Sequence, residues 1–295
     1  MNRNRLAPRT LCALLVVLAC TEHSETALEP SGAKSGAASP VLLAVGDIAG
    51  CPSGYKDEAV SNLVSGISGT IALLGDLVYD DGTTKEFQNC YAPSWGRHLS
   101  RSRPAPGNHE YHTSNASPYY NYFGSRAGPA GKGYYTFTLG SWRIYSLNSE
   151  RNLSAQASWL KSQLAAHPSK CVLAFWHKPL FTSGKNSPET AMRPLFTVLY
   201  NAGAEIVLNA HNHGYDRFAP QDPSGKAASR GIRQFVVGTG GSKLYGFGSP
   251  RRNSQVRYAG GHGVLKLDLG GESYSWRYVS VPGKSFTDSG SGSCR

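Results

Sequence analysis

Five stretches of this chain share one pattern: a short run of apolar residues that stops at a polar, metal-binding type of side chain. Val41-Leu42-Leu43-Ala44-Val45 ends in Gly46-Asp47, and Ile71-Ala72-Leu73-Leu74 ends in Gly75-Asp76. The segment 102–106 leads into Gly107-Asn108-His109-Glu110. Cys171-Val172-Leu173-Ala174-Phe175 ends in Trp176-His177, and Ile206-Val207-Leu208 runs into Asn209-Ala210-His211-Asn212-His213. Continuous apolar runs of this length predict strands buried on both faces. Helical patterns lie between them, at 57–64, 154–166 and 189–201. Alternation of strand and helix predicts an α/β sheet with its functional groups at the carboxyl ends of the strands. The later segments 134–139, 142–147, 233–237, 264–269 and 274–281 read instead as antiparallel strands separated by turn residues. Together the two patterns predict an α/β fold, a four-layer α/β/β/α sandwich of two mixed sheets flanked by helices. No internal repeat is present.

The first forty residues stand apart. Arg3, Arg5 and Arg9 form a basic front, and 11–19 is an apolar run too short to span a bilayer comfortably. Residues 1–20 are therefore expected to be a signal peptide. The sequence Leu18-Ala19-Cys20-Thr21 resembles a bacterial lipoprotein cleavage site with Cys20 as the lipidated residue. Leu18 is bulkier than that pattern prefers, which leaves ordinary secretory cleavage nearby as the alternative. Residues 21–40 are rich in Ser, Ala, Gly and Glu without periodicity, a flexible tether. A single catalytic domain is expected at 41–295. No other stretch is long and apolar enough to cross a membrane, so the expected location is the bacterial cell envelope, by a lipid anchor, or the exterior.

The formal net charge of +11 stays almost wholly with the domain, because the arginines of the front are nearly offset by Glu22, Glu25 and Glu29 of the tether. A basic protein can bind nucleic acid. Yet no run of five basic residues occurs, and Arg251-Arg252 is the sole basic doublet. A surface suited to small anionic substrates is the better reading, and no specific nucleic acid is expected. With Cys12 in the signal and Cys20 at its end, Cys51, Cys90, Cys171 and Cys294 remain. An even number in an exported chain suggests two disulfides. Three pairings are possible. Cys51–Cys90 with Cys171–Cys294 is favoured, since the second would clamp the loose SGSGSC tail onto a core strand. A zinc site is disfavoured because none of the four forms a CxxC pair.

The strand-end residues form a set: Asp47, Asp76, Asn108, His177, His211 and His213, with Tyr79 three residues beyond Asp76 in GDLVYD. Carboxylates, imidazoles, a carboxamide and a phenol are hard to borderline donors, suited to iron, zinc or manganese, and no thiolate is among them. They are too many for one tetrahedral ion and suit two ions sharing a bridging carboxylate, roughly 3.5–4 Å apart. Taken singly, GDLVYD and GNHE could be turns and HNH a hydrogen-bonded pair. Their joint occurrence, each after an apolar run, carries the reading.

GDIA, GDLVY, GNHE, WH and AHNH, in that order, resemble the five-block signature of calcineurin-like metallophosphoesterases. Tyr79 after the second GD, and the lack of a histidine two residues after Asp47, resemble the purple acid phosphatase branch of bacterial single-domain type. SLNSE, HKPLF and GYDRFAP are further similarities, and the likeness covers nearly all of 41–281. It implies two metal ions, Fe(III) plus a divalent ion (Fe, Zn or Mn). Asp47, Tyr79 and His213 would hold the first, Asn108, His177 and His211 the second, and Asp76 both. His211 and His213 would serve different ions, on the premise that alternate residues of an extended segment point the same way. His109 would be catalytic, close to the phosphate and the leaving group.

The implied activity is hydrolysis of small phosphate monoesters by metal-activated hydroxide, with no phosphoenzyme. Two departures bear on it. Ala210 replaces the usual glycine before the first histidine, and FTSGKNSPE carries no histidine of the kind some members use to contact phosphate, although His112 could compensate. The alternatives are a phosphodiesterase or nuclease on the same fold, and a metal-binding envelope protein without catalysis.

Overall fold

Alternate side chains of the apolar strands go to different cores. Leu42 and Ala44 of Val41–Val45 face one cluster, and Leu43 and Val45 face another. The same division separates Ala72 and Leu74 from Ile71 and Leu73, and Leu173 and Phe175 from Val172 and Ala174. A strand buried on both faces needs no polar alternation, which is why these runs are continuously apolar in sequence. The computed structural model describes residues 39–129 and 131–295. The signal expected at 1–20, with Cys20, and the tether as far as residue 38 lie outside the described residues.

The first sheet has six strands, in the order Ser289–Ser293, Ser273–Ser280, Gly263–Leu269, Val41–Val45, Thr70–Leu74, Ser102–Ala105. The last three are parallel, and the others pair antiparallel. The second sheet has seven, in the order Ser254–Tyr258, Tyr215–Phe218, Arg233–Val237, Ile206–Asn209, Cys171–Phe175, Trp142–Ser146, Tyr135–Leu139. Its four central strands that begin at Arg233, Ile206, Cys171 and Trp142 are parallel. Leu42, Leu74, Leu173, Phe175, Leu208 and Phe235 meet in the core between the sheets. The outer face of the first sheet is covered by the helix Asp57–Ser65 and by the aromatic helical stretches around Tyr91, Trp95, Tyr119 and Phe123. The outer face of the second is covered by Leu153–Ala166 and Arg193–Asn201. The result is the expected four-layer sandwich of two mixed sheets between helices.

Two local expectations are corrected. The helical pattern at 189–201 is split: Glu189 caps a short turn, Thr190–Met192, and the α-helix starts at Arg193 with Pro194 in its first turn. Proline suits that place because its missing N–H would have no intrahelical partner. The SGSGS tail is not loose. Ser289–Ser293 is an edge strand paired to Ser273–Ser280. Serine and glycine give no apolar pattern, but Gly290 and Gly292 lie under the Trp276 and Tyr274 rings, where an added Cβ would come within 2.3 and 2.5 Å. Cys171 is joined to Cys294, beside that strand, and Cys51 to Cys90.

Candidate metal centre

The segments that leave the strands Val41–Val45, Thr70–Leu74, Ser102–Ala105, Cys171–Phe175 and Ile206–Asn209 deliver polar residues to one place. Asp47 and Asp76 follow Gly46 and Gly75 in left-handed backbone, with φ of 58° and 50°. Beyond them, Ala49–Gly50 pairs in parallel with Val78–Tyr79, which brings Tyr79 alongside the Asp47 loop. The Tyr79 hydroxyl lies 2.9 Å from Asp47 Oδ1, 3.2 Å from His213 Nε2 and 3.4 Å from Asp76 Oδ2. On the other side of Asp76, His177 Nε2 is 3.0 Å from Oδ2, and His211 Nδ1 is 3.2 Å from His177 Nε2. Asp76, His177 and His211 each place one donor atom within 4.8 Å of the others. Two triads thus meet at Asp76.

Asn108 belongs to the third loop. Its neighbours Gly107 and His109 both abut Asp76: the His109 N–H donates to Asp76 Oδ1 at 2.9 Å, and a Cβ on Gly107 would sit 2.2 Å from the same oxygen. The His109 imidazole lies against Tyr79, ring centroids 4.3 Å apart, with Nδ1 on the Asp80 carbonyl and Nε2 3.8 Å from Asp76 Oδ2. His112 is exposed and its ring lies tilted against His109, centroids 4.7 Å apart.

The HNH premise is corrected. The segment is not extended, because His211 has φ of 69° and the N–H groups of Asn212 and Gly214 donate to the carbonyls of Ala210 and Asn212. A tight turn, not strand alternation, sends His211 toward Asp76 and His213 toward Asp47 and Tyr79.

The residues fit cations. Asp47 Oδ2 and Asn108 Oδ1 are buried without a hydrogen-bond partner, a costly state for lone pairs unless another electrophile fills it. Gly238 leaves room at that oxygen, since a Cβ there would approach Asp47 Oδ2 to 2.3 Å. Burial alone would raise the Asp76 carboxyl, but the His177 and His109 imidazoles outweigh it and hold it below the usual carboxylate range. Burial opposes charge on His177, yet Asp76 holds it up to about 10. Burial and the adjacent His177 push His211 down to about 3, so its ring nitrogens stay neutral. Burial, then Asp47 and Asp76, raise the Tyr79 phenol well above its ordinary value. Burial raises the Asp47 carboxyl, so a cation beside Asp47 and Asp76 would offset the cost of keeping both ionised.

Supporting contacts aim the donors. His177 Nδ1 faces the Leu74 carbonyl at 2.9 Å, which turns Nε2 to Asp76. His213 Nδ1 meets the Lys243 carbonyl at 2.7 Å and Ser242 Oγ at 3.0 Å, which turns Nε2 to Asp47 and Tyr79. Such outer partners fix the ring orientation of metal-binding histidines.

Residues 41–215, more than half of the 295-residue chain, match the model of the calcineurin-like phosphoesterase family. The chain belongs to that family. This calcineurin-like phosphoesterase is 25% identical over 236 residues to purple acid phosphatase 15 of Arabidopsis thaliana, covering 63% of this chain and 42% of the relative. It is 27% identical over 157 residues to purple acid phosphatase 22 of the same plant, covering 50% and 35%. It therefore spans less than half the length of these relatives. In fold it is similar to the purple acid phosphatase PPD1 of Lupinus luteus (TM-score 0.73, 16% identity, 86% of this chain and 53% of that one). It is also similar to GAP50, the anchor in the inner membrane complex of Plasmodium (TM-score 0.67, 13% identity, 85% and 88%). One fold thus serves a phosphatase and an anchor, and activity has to be argued from the site.

Two residues beyond the sequence reading shape this site. Glu110 is fully buried and accepts N–H groups from Asp76, Leu77, Val78 and Gly107, at 3.0, 2.8, 3.4 and 2.7 Å, tying the Asp76 loop to the Asn108–His109 loop. Its place in GNHE was the available signal. Tyr245 stacks on His213, centroids 4.1 Å apart and planes 8° from parallel. Nothing in its local sequence marked it.

Proposed function

We propose that this calcineurin-like phosphoesterase is an exported, dinuclear-metal phosphatase of purple acid phosphatase type that hydrolyses small phosphate monoesters. The observation that carries the reading is the meeting of two thiolate-free donor triads at Asp76, beside a buried Asp47 oxygen that has no other partner. Asp47, Tyr79 and His213 would hold one ion, taken as Fe(III). Asn108, His177 and His211 would hold a divalent ion, and Asp76 would serve both. Two bound cations supply Lewis-acid polarisation of the phosphoryl oxygens and acidify a water near neutral pH.

The chain's own residues do the rest. Glu110 keeps the Asp76 and Asn108 loops in fixed relation, so that the donors need little rearrangement. His109 is held by its backbone on Asp76 and by Nδ1 on the Asp80 carbonyl, leaving Nε2 as the nitrogen free to move a proton. From there it protonates the departing alkoxide or stabilises charge on the phosphoryl group, a role worth about 10²–10⁴-fold. Export is supported by the two disulfides, which persist in oxidising compartments. The domain limits proposed are 41–295, after a signal at 1–20 and a tether at 21–40.

The test is metal analysis of natively purified protein together with phenol release from a monoester and a diester of one phenol. Faster monoester release is expected. A metal-replete protein that releases phenol from neither overturns the reading, and faster diester cleavage replaces it with a phosphodiesterase.

A further inference from the structure

We propose that Lys185, guided by Tyr245, forms a subsite beside the metal centre that selects phosphate esters whose leaving group carries a second negative charge. The proposal rests on the phosphatase reading above and names a substrate class for it. The backbone around Lys185 is tied to the HNH turn. The Asn186 N–H donates to Asn212 Oδ1 at 2.7 Å, and Asn186 Nδ2 donates to the His211 carbonyl at 2.7 Å. Gly184 lies so close to Asn212 that an added Cβ would approach its Oδ1 to 2.3 Å. Lys185 is therefore carried by the same turn that places His211 and His213.

Its side chain is exposed, with Nζ 5.3 Å from the centroid of the Tyr245 ring that stacks on His213. An ammonium over an aromatic ring is attracted by the ring's negative face and stays hydrated enough to meet an incoming anion. Among the described residues Lys185 makes no ion pair, whereas Lys178, seven positions earlier, is neutralised by Glu150 at 2.7 Å. Lys243, whose carbonyl faces His213 Nδ1, is also exposed and adds positive charge at this rim. The Tyr245 ring already has His213 against it, so it serves to aim the ammonium and not to stack a base or sugar. The ammonium stands at the exposed rim while His213 is buried. The part of an ester that reaches the rim is the leaving group, and the chemistry that recognises an unpaired ammonium there is a carboxylate or a second phosphate.

The test compares phenyl phosphate with 4-carboxyphenyl phosphate on the metal-replete full chain, reading the ratio of their kcat/KM values. In parallel, calorimetry measures binding of phenylphosphonate and 4-phosphonobenzoic acid, which are not hydrolysed. In both arms Lys185→Ala is expected to lower the preference for the carboxylated probe by about two- to five-fold, the range of a single exposed ion pair. Lys185→Arg should largely keep it, Lys185→Glu should reverse it, and added salt should weaken it in the unmodified protein. Lys161→Ala, with the same charge change on the distant helix Leu153–Ala166, should leave the ratio as it is. A Lys185→Ala protein with the original ratio in both arms overturns the subsite. Absence of turnover with a normal Lys185-dependent binding preference would sink the phosphatase reading alone.

Discussion

Asp47, Asp76 and His211 sit with positive φ in a backbone region that side chains usually avoid, at a cost of roughly 1–3 kcal/mol each. The surroundings hold them there: Asp47 N–H donates to the Gly75 carbonyl, and Ile48 N–H to that of Asp76. Three such residues at one point mark a site whose donor geometry outweighs local comfort. The proposed roles separate by measurement. Asp76→Ala should lose metal and activity together. His109→Ala should keep metal by elemental analysis while kcat falls about 10²–10⁴-fold; loss of metal there would make His109 a ligand instead. Tyr79 offers a spectroscopic check. A phenolate on ferric iron gives a visible charge-transfer band that zinc, with its filled d shell, cannot give. Iron-loaded oxidised protein should be pink to purple, and Tyr79→Phe should retain iron without colour. An unchanged visible spectrum in Tyr79→Phe would exclude that residue as the ligand.

Elements carry the next level, and Glu110 is the joint between two of them. Replacing its carboxylate by the amide in Glu110→Gln puts N–H donors against backbone N–H groups at 2.7–3.0 Å. Each buried donor left unpaired costs about 1–3 kcal/mol. The variant should unfold at lower denaturant and bind metal more weakly, although Glu110 is not a proposed ligand. Equal stability and metal content would remove it from the positioning role. At the opposite end of the chain, Ser289–Ser293, the Cys171–Cys294 bond and Arg295, which meets Glu205 through its backbone N–H at 2.8 Å and its side chain at 3.1 Å, fasten one arm. Cys294→Ser should cost about 2–4 kcal/mol in urea unfolding. A change under about 0.5 kcal/mol would mean that the strand and the Arg295 contacts suffice without the crosslink.

For the molecule as a whole, the metal centre joins segments from Asp47 to His213, so ions that bind only the folded chain should stabilise all of it. At a free metal concentration about 1,000 times Kd the gain is about 4 kcal/mol. Thermal unfolding with and without chelator should show that gain in the unmodified protein and lose it in Asp76→Ala; equal shifts in both would place the stabilising ion elsewhere. Among the described residues no helix is long and apolar enough to cross a membrane. A lipid on Cys20 is a separate proposal, read from Leu18-Ala19-Cys20-Thr21. A mass increment on the processed chain, lost in Cys20→Ala, is the expected outcome, and an unlipidated mature terminus at another residue would refute it.

How much of this was legible in the chain follows from range. Strands buried on both faces write themselves as continuous apolar runs, and polar residues at their ends stand out, so the central strands and the candidate donors from Asp47 to His213 were legible in the sequence. The edge strand Ser289–Ser293 was not, because its serines and glycines pack under Trp276 and Tyr274 and leave no periodicity of their own. The path of HNH was not, because the left-handed turn at His211 is imposed by neighbours that Asn186 and Asn212 tie to it. Tyr245 against His213 and Glu110 between two loops depend on segments that meet only when both sheets are in place. Residue type and local pattern thus determined which groups could bind metal. Which donors face one another, and what stands at the rim beside them, depended on contacts between residues far apart in the chain.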